Sequence, residues 1–481
     1  MQNSTAGRRL QDWTNRNIFA KSFDSFDLPA SYQNAPATHS NAGADRELPD
    51  DETCALTADA DDGHGASSDS PITAYQAAWN VTNAIQGMFI VGLPVAVKVG
   101  GWWSVGAMIG VAYVCYWTGA LLVECLYEGG QKVRHSYKDV ANAVHPGLGR
   151  LVMTAQLTEL LSTCILYVVL AGDLLQSCVP SIDKTAWMML TTALLLATAF
   201  LDDIVIVSYL SLANAVSHLV INAVFLIYCL SQVPSPPATV TRLQMSDWVW
   251  DEVRFSLDLR TFPTMIGVVV FGYTSHIFLP SIEASMKNPS EFTWMLKWSH
   301  IMAAFFKAVF GLMGFLTFGE FTQKEISNSL PNQAFKVLIN LVLVVKALLS
   351  YPLPYYATVQ LLRQNFFRGT KFTWFSSCYG KDRTLREWAL CLRIILILFT
   401  LMMALSVPYL IELMGLVGNI TGTMLSFIWP ALFHLKLKGA RLTDLEKKFD
   451  MSIIGLGVTI CVVGIYYSAI ELATAIRYGE S

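Results

Sequence analysis

Ala84-Ile85-Gln86-Gly87-Met88-Phe89-Ile90-Val91-Gly92-Leu93-Pro94 interrupts the first long apolar segment of the chain. Glycine and proline are the poorest helix formers, yet they stand where a membrane helix needs continuous hydrogen bonding. Phe271-Gly272-Tyr273-Thr274-Ser275-His276-Ile277-Phe278-Leu279-Pro280 echoes the pattern in mid-chain. Both run from glycine through small, polar and bulky apolar residues to Leu-Pro. In lipid, the backbone groups freed by such a break are tolerated only where protein or a water-filled cavity satisfies them. Breaks at corresponding places in two halves of a membrane protein point to a transporter's binding site. The competing reading, glycines that let helices pack closely, suits one break better than two matched ones.

Composition agrees with a membrane chain. Of 481 residues, 53% are hydrophobic and 14% charged, against about 25% charged in a soluble domain. A net charge of −3 gives no basis for binding nucleic acid. Cys115, Cys125, Cys164, Cys229, Cys391 and Cys461 fall in apolar spans. Cys54 and Cys378 fall in hydrophilic stretches, and only Cys178 lies near an outer end. No disulfide framework is expected. No cofactor, metal site or enzymatic activity is expected either.

Residues 1–72 are polar and acidic, with Asp50-Asp51-Glu52 and Asp59, Asp61 and Asp62, and read as a disordered cytosolic tail. Such a tail is a place for vesicle-sorting partners, but Glu47-Leu48 and Tyr32-Gln33-Asn34-Ala35 fall short of sorting signals. Residues 1–22 lack the apolar core of a signal peptide, so the first span is expected to direct insertion. Eleven apolar runs approach the ~20 residues a membrane helix needs. They are 75–98, 102–126, 151–176, 186–202, 205–231, 262–281, 296–319, 333–355, 388–406, 408–434 and 452–476.

Lys and Arg concentrate in cytoplasmic loops. Here they concentrate after span two (Lys132, Arg134, Lys138, Arg150), span eight (Arg363, Arg368, Lys371, Lys381, Arg383, Arg386) and span ten (Lys436, Lys438, Arg441, Lys447, Lys448). The N-terminus is therefore expected in the cytosol and the C-terminus on the opposite face. Residues 73–231 form a first half of five spans, 232–261 a lumenal loop, and 262–434 a second half of five. A basic cytosolic loop, 435–451, then leads to span eleven and the C-terminus, 452–481. The expected architecture is an all-α inverted repeat of five plus five, with spans one and six broken.

Ionisable residues inside spans are costly and mark function by default. Glu159 lies mid-span, with Gln156 and Thr163 on the same helical face, and is the first candidate for a protonatable group. Lys346 lies deep in span eight with Ser350 on its face, and is the second. His218, His276 and Ser350 are secondary candidates, and Lys307 a weaker one. Glu283 and Glu412 read as span-boundary residues. Asn80-Val81-Thr82 and Asn419-Ile420-Thr421 match a glycosylation triplet but lie inside spans, where it goes unmodified.

Ala78 through Phe89, Cys164-Ile165-Leu166-Tyr167-Val168-Val169, Gly272-Tyr273-Thr274-Ser275 with Ile277-Phe278-Leu279-Pro280-Ser281, and Lys346 through Pro354 carry a resemblance. They resemble the vesicular inhibitory amino acid carriers of the amino acid/auxin permease family, over roughly residues 73–476. The resemblance implies a LeuT-type fold. It implies loading of GABA and glycine from the cytosol into synaptic vesicles, driven by the proton gradient and potential, with possible chloride involvement. Many relatives are expected to carry Gln where this chain has His276. In sodium-coupled relatives a cation sits between spans one and eight, a place the Lys346 ammonium would fill here.

A zwitterionic amino acid needs partners at both ends. Free N–H groups at a helix break suit its carboxylate, which assigns Asn83, Ala84, Gln86, Gly87 and Met88. Carbonyls around Phe271, Gly272, Tyr273 and Thr274 then face its ammonium. The alternatives are a proton-coupled neutral amino acid symporter of the plasma or lysosomal membrane, and an amino-acid sensor that signals through its tail.

Overall fold

The computed structural model describes residues 73–85, 87–200, 204–232, 257–366 and 387–478. The acidic tail with its sorting reading, Asp202-Asp203, most of the 232–261 loop and most of the loop after span eight lie outside the described residues. So do Gln86 and the side chains of Asn83 and Met88.

In chain order the helices are α1 (Ala74–Ile85), a 3₁₀ turn (Met88–Gly92), α2 (Leu93–Gly100) and α3 (Trp102–Glu124). A two-residue hairpin, β1 (Tyr127–Glu128) with β2 (Gln131–Lys132), pairs Tyr127 opposite Lys132. Then come α4 (Tyr137–Val144), α5 (Leu148–Cys178), α6 (Lys184–Leu195), α7 (Ile204–Gln232), α8 (Phe262–Phe271) and α9 (Leu279–Ser285). The remainder are α10 (Phe292–Phe318), α11 (Gln333–Ser350), α12 (Pro352–Phe366), α13 (Glu387–Ser406), α14 (Leu410–Val417), α15 (Trp429–Lys438) and α16 (Asp444–Tyr478). Two π-helical segments, Gly418–Gly422 and Met424–Ile428, join α14 to α15.

Among the described residues, six helices are long and apolar enough to cross a membrane. They are Trp102–Glu124, Leu148–Cys178, Pro289–Phe321, Gln333–Leu362, Leu410–Lys438 and Asp444–Tyr478. Their outer surfaces carry large apolar side chains with no protein over them: Phe305 is 59% exposed, Val462 63% and Val345 57%. A water-soluble protein does not expose such a continuous apolar coat; hydrocarbon covers it here. Helix α5 is the axle, packed by α6, α11, α12, α13, α14 and α4. Its Thr154, Thr158 and Thr163 hydroxyls each donate to the carbonyl four residues back. That satisfies polar groups where no bulk water reaches.

Leu93-Pro94 and Leu279-Pro280 each occupy the first turn of a new helix, α2 and α9. Proline is tolerated there because its missing N–H would have had no intrahelical partner. Residues 272–278, between α8 and α9, are not helical. Turns tighten where α8 ends, with Tyr273 N donating to Val270 O at 2.9 Å and Thr274 N to Phe271 O at 3.2 Å.

The glycines that serve close packing are others. A Cβ at Gly267 would stand 2.2 Å from the Gly415 carbonyl, and one at Gly418 would stand 2.0 Å from the Gly267 carbonyl. Helix α8 and the α14–π segment therefore touch backbone to backbone. Asn419, fully buried, bonds from this crossing to the Pro263 carbonyl at 3.1 Å and to Ser468 of α16 at 3.0 Å.

Two expectations need correction. The stretch 435–451 is largely helical, because α15 runs to Lys438 and α16 begins at Asp444. Thr443 and Glu446 bond reciprocally there, starting the helix before its apolar stretch. Helix continues past 355 as α12, since Pro352 and Pro354 fall in its first turn.

Candidate functional site

One cavity lies where α1, α5, α7, α8, α10, α11 and α12 converge, enclosing about 850 Å³ of empty space including its mouth. Both interrupted stretches reach it: Ala84, Gly87 and Phe89 from the first, and Phe271, Gly272, Thr274 and Phe278 from the second. Phe89 stacks on Tyr167 at 5.0 Å between ring centroids and meets Phe271 edge-on at 5.4 Å. These rings form an apolar wall beside the exposed backbone.

Gly87 keeps that backbone accessible. A Cβ there would meet only Phe89 at 3.7 Å and the Tyr167 hydroxyl at 3.9 Å. The space over the glycine is open, as close approach of a ligand to the chain requires.

An acid and a base face the cavity. Glu159 of α5, 3% exposed, accepts a hydrogen bond from the Thr421 hydroxyl of the first π segment. Lys307 of α10, also 3% exposed, donates to the Gly272 carbonyl and lies 3.9 Å from the centre of the Tyr273 ring. A buried ammonium needs acceptors, and the break after α8 supplies one. The Gly272 carbonyl, expected to face a substrate ammonium, is therefore engaged by Lys307.

Lys346 does not line the cavity. Its Nζ lies 2.5 Å from Nδ1 of His218 on α7. One turn on, Ser350 does line it and donates to Asn214 at 3.0 Å. The i, i+4 pair thus bridges α11 to α7, in place of the expected site between spans one and eight. His276 is fully buried with Nε2 3.0 Å from the Thr118 hydroxyl of α3, away from the cavity. Tyr273 is likewise buried outside the wall, beneath Lys307.

Glu159, Ser350 and residues of both interrupted stretches line the cavity, as does Lys307, the weaker sequence candidate, while Thr421, not among the sequence candidates, bonds to Glu159. The signal for Thr421 was present: Asn419, Thr421 and Thr423 are polar residues at every second position of an apolar span.

The two ends of the bundle are tied by ion pairs. At one end Glu283 of α9, 1% exposed, takes hydrogen bonds from Tyr127 and Lys132 of the hairpin. At the other, Lys184 pairs with Asp173 and donates to the Pro408 carbonyl, and Lys324 pairs with Glu412 at 2.9 Å. Glu283 and Glu412, read from sequence as boundary residues, join separate elements at these ends.

An apolar-coated helical bundle around a cavity lined by an acid, a base and two interrupted stretches is the construction of a membrane transporter. A family profile described as transmembrane amino acid transporter protein matches residues 70–470, and the chain belongs to that family. It is 59% identical to the vesicular GABA transporter of Caenorhabditis elegans, over 98% of this chain and 99% of that one. It is 44% identical to the vesicular inhibitory amino acid transporter of Xenopus tropicalis, covering 85% of this chain and 78% of that one. The human protein of the same name is 42% identical, covering 84% and 77%. Among solved structures, a Na⁺-coupled sialic acid symporter in a substrate-bound outward-open state superposes with a TM-score of 0.52. That match covers 84% of this chain and 90% of the symporter at 12% identity, a likeness of fold alone.

Proposed function

We propose that this protein loads GABA and glycine from the cytosol into synaptic vesicles, as a secondary carrier driven by the vesicular proton electrochemical gradient. The near-full-length similarity to the nematode protein named vesicular GABA transporter carries this reading. The cavity supports its mechanism. Spans one and six are the broken pairs α1–α2 and α8–α9, and α3, α5, α6, α7, α10, α11–α12, α13, α14–α15 and α16 complete eleven. Spans one to five and six to ten form the inverted repeat, with the N-terminus cytosolic and the C-terminus lumenal.

The substrate carboxylate takes the free N–H groups around Gly87, and the ammonium takes carbonyls of the break after Phe271. Phe89 and Tyr167 cover the methylene chain. Glu159 carries the proton, and Lys307 steadies the second break. One proton leaving the lumen per neutral zwitterion entering moves one positive charge outward. Each pH unit contributes about 1.4 kcal/mol, and each 100 mV, lumen positive, about 2.3 kcal/mol. Together they sustain accumulation of roughly a few hundredfold. Chloride movement is compatible with this cycle and is not required by it.

The test is uptake into proteoliposomes with an acidic, positive interior, comparing GABA, glycine, proline and glutamate. GABA and glycine should accumulate without sodium. A sodium requirement, or no GABA accumulation, would overturn the reading.

The lumenal end should respond to acidity. Burial, followed by the nearby Asp173 carboxylate, pushes the Glu325 carboxyl up from 4.5 to about 7, against Lys184, Lys324 and a hydrogen bond from Asn328. Lys324, the residue before it, pairs with Glu412 at 2.9 Å. An acid raised in the folded state binds its proton more tightly there than when unfolded, so stability rises as pH falls through this window. Protease resistance of residues 319–332 should increase between pH 7 and pH 4.5. Glu325→Gln should flatten that dependence, and resistance that instead climbs with pH would contradict the assignment.

A further inference from the structure

Glu159 accepts a hydrogen bond from Thr421 on the π segment of span ten, and Thr274 in the break of span six lines the same cavity wall. Each hydroxyl has a second neighbour. Thr421 Oγ1 lies 3.0 Å from the Val417 carbonyl, and Thr274 Oγ1 lies 3.1 Å from the Val270 carbonyl. A hydroxyl has one proton to donate, so neither can serve both neighbours at once. An ionised carboxylate only accepts, whereas a protonated one must donate. With Glu159 ionised, the hydroxyls turn to it and release the two carbonyls. With Glu159 protonated, the acid donates to one hydroxyl oxygen, and both hydroxyls turn back to Val417 and Val270.

We propose that Thr421 and Thr274 are positioning residues that convert the charge state of Glu159 into a rearrangement of span ten and of the span-six break. The proposal rests on the reading of Glu159 as the proton carrier. Three features place the switch where motion matters. Val270 O also accepts from Tyr273 N, the bond that shapes the break. Thr421 lies within a π-helical segment, a local irregularity common at functional sites. The two threonine-bearing elements are in contact here, since a Cβ at Gly422 would stand 3.2 Å from Thr274 Oγ1. Other titratable groups facing the cavity are Tyr167 of α5 and Lys307 of α10. Lys346 and His218 lie beyond Ser350 and Asn214 on the α11–α7 wall.

The experiment measures the pH dependence of GABA counterflow in proteoliposomes of the full chain. Thr421→Val removes a donor to the ionised acid. The pH profile should move toward alkaline values by about one unit, roughly a tenfold change in proton affinity. Thr421→Ser should restore the profile, and Thr274→Val should shift it in the same direction, which keeps the test decisive if Thr421→Val misfolds. In a Glu159→Gln background neither valine should shift it further. A Thr421→Val profile superimposed on the original, or a shift that persists in Glu159→Gln, overturns the inference. A normal pH profile in Glu159→Gln alone would instead remove the proton reading on which it rests.

Discussion

Glu159→Gln is expected to abolish gradient-driven accumulation of GABA while exchange of internal for external GABA persists. The substitution keeps the side chain's size in the cavity wall and leaves a hydrogen-bonding group beside Thr421. It removes the proton that an acid would release. Without a group that gains and loses a proton, the pH gradient has no means of biasing the cycle. Net transport of a zwitterion then stops at equal concentrations on both sides, in place of a roughly few-hundredfold accumulation. Exchange needs only occupied-site reorientation and continues. The measurement is paired: initial uptake under an inside-acid, inside-positive gradient, and counterflow at symmetrical pH. Undiminished gradient-driven uptake would exclude Glu159 as the proton carrier.

Gly418→Val is expected to prevent formation of stable protein. The new Cβ would fall 2.0 Å from the Gly267 carbonyl and 2.9 Å from the Phe271 Cβ. Backbone cannot rotate aside as a flexible side chain does, so α8 and the π segment must separate. Overpacking a core by rotamer changes alone costs about 1–3 kcal/mol, and separating two backbones at a buried crossing exceeds that. The separation also strains the Asn419 bonds to Pro263 and Ser468. Detergent-solubilised protein should lose its monodisperse elution peak, or melt several degrees lower. Gly106→Ala is the control, because no atom lies within 4 Å of a Cβ there. Equal melting of the two variants would refute the close crossing.

Much of this architecture was legible in the sequence because the bilayer imposes a length and a composition on every crossing. The two Leu-Pro stretches were legible for a further reason: glycine and proline alter backbone hydrogen bonding whatever surrounds them. The direction of a buried side chain was harder to read. Lys307 and Lys346 both lie mid-span, and each shares a buried face with other polar residues, Ser299 and His300 in one helix and Asn340 and Ser350 in the other, so polarity alone does not show which lysine meets the cavity. Sequence favoured Lys346 through its i, i+4 partner Ser350, yet that pair binds α7, and Lys307 holds the Gly272 carbonyl. The hairpin at Tyr127 and Lys132 went unread because its four residues are too few to show an alternating pattern. Its role as the partner of Glu283 depends on a contact across 151 residues of chain. Thr421 was read only as the end of a glycosylation-like triplet. Its link to Glu159 spans 262 residues and exists only after folding.

A structure of the protein with GABA bound tests the account most directly. GABA should lie between the two breaks, its carboxylate within hydrogen-bonding distance of the backbone at Gly87 and its ammonium against the segment 272–274. GABA bound elsewhere, with continuous helix through Gly87 and Gly272 closing the space between them, would contradict it.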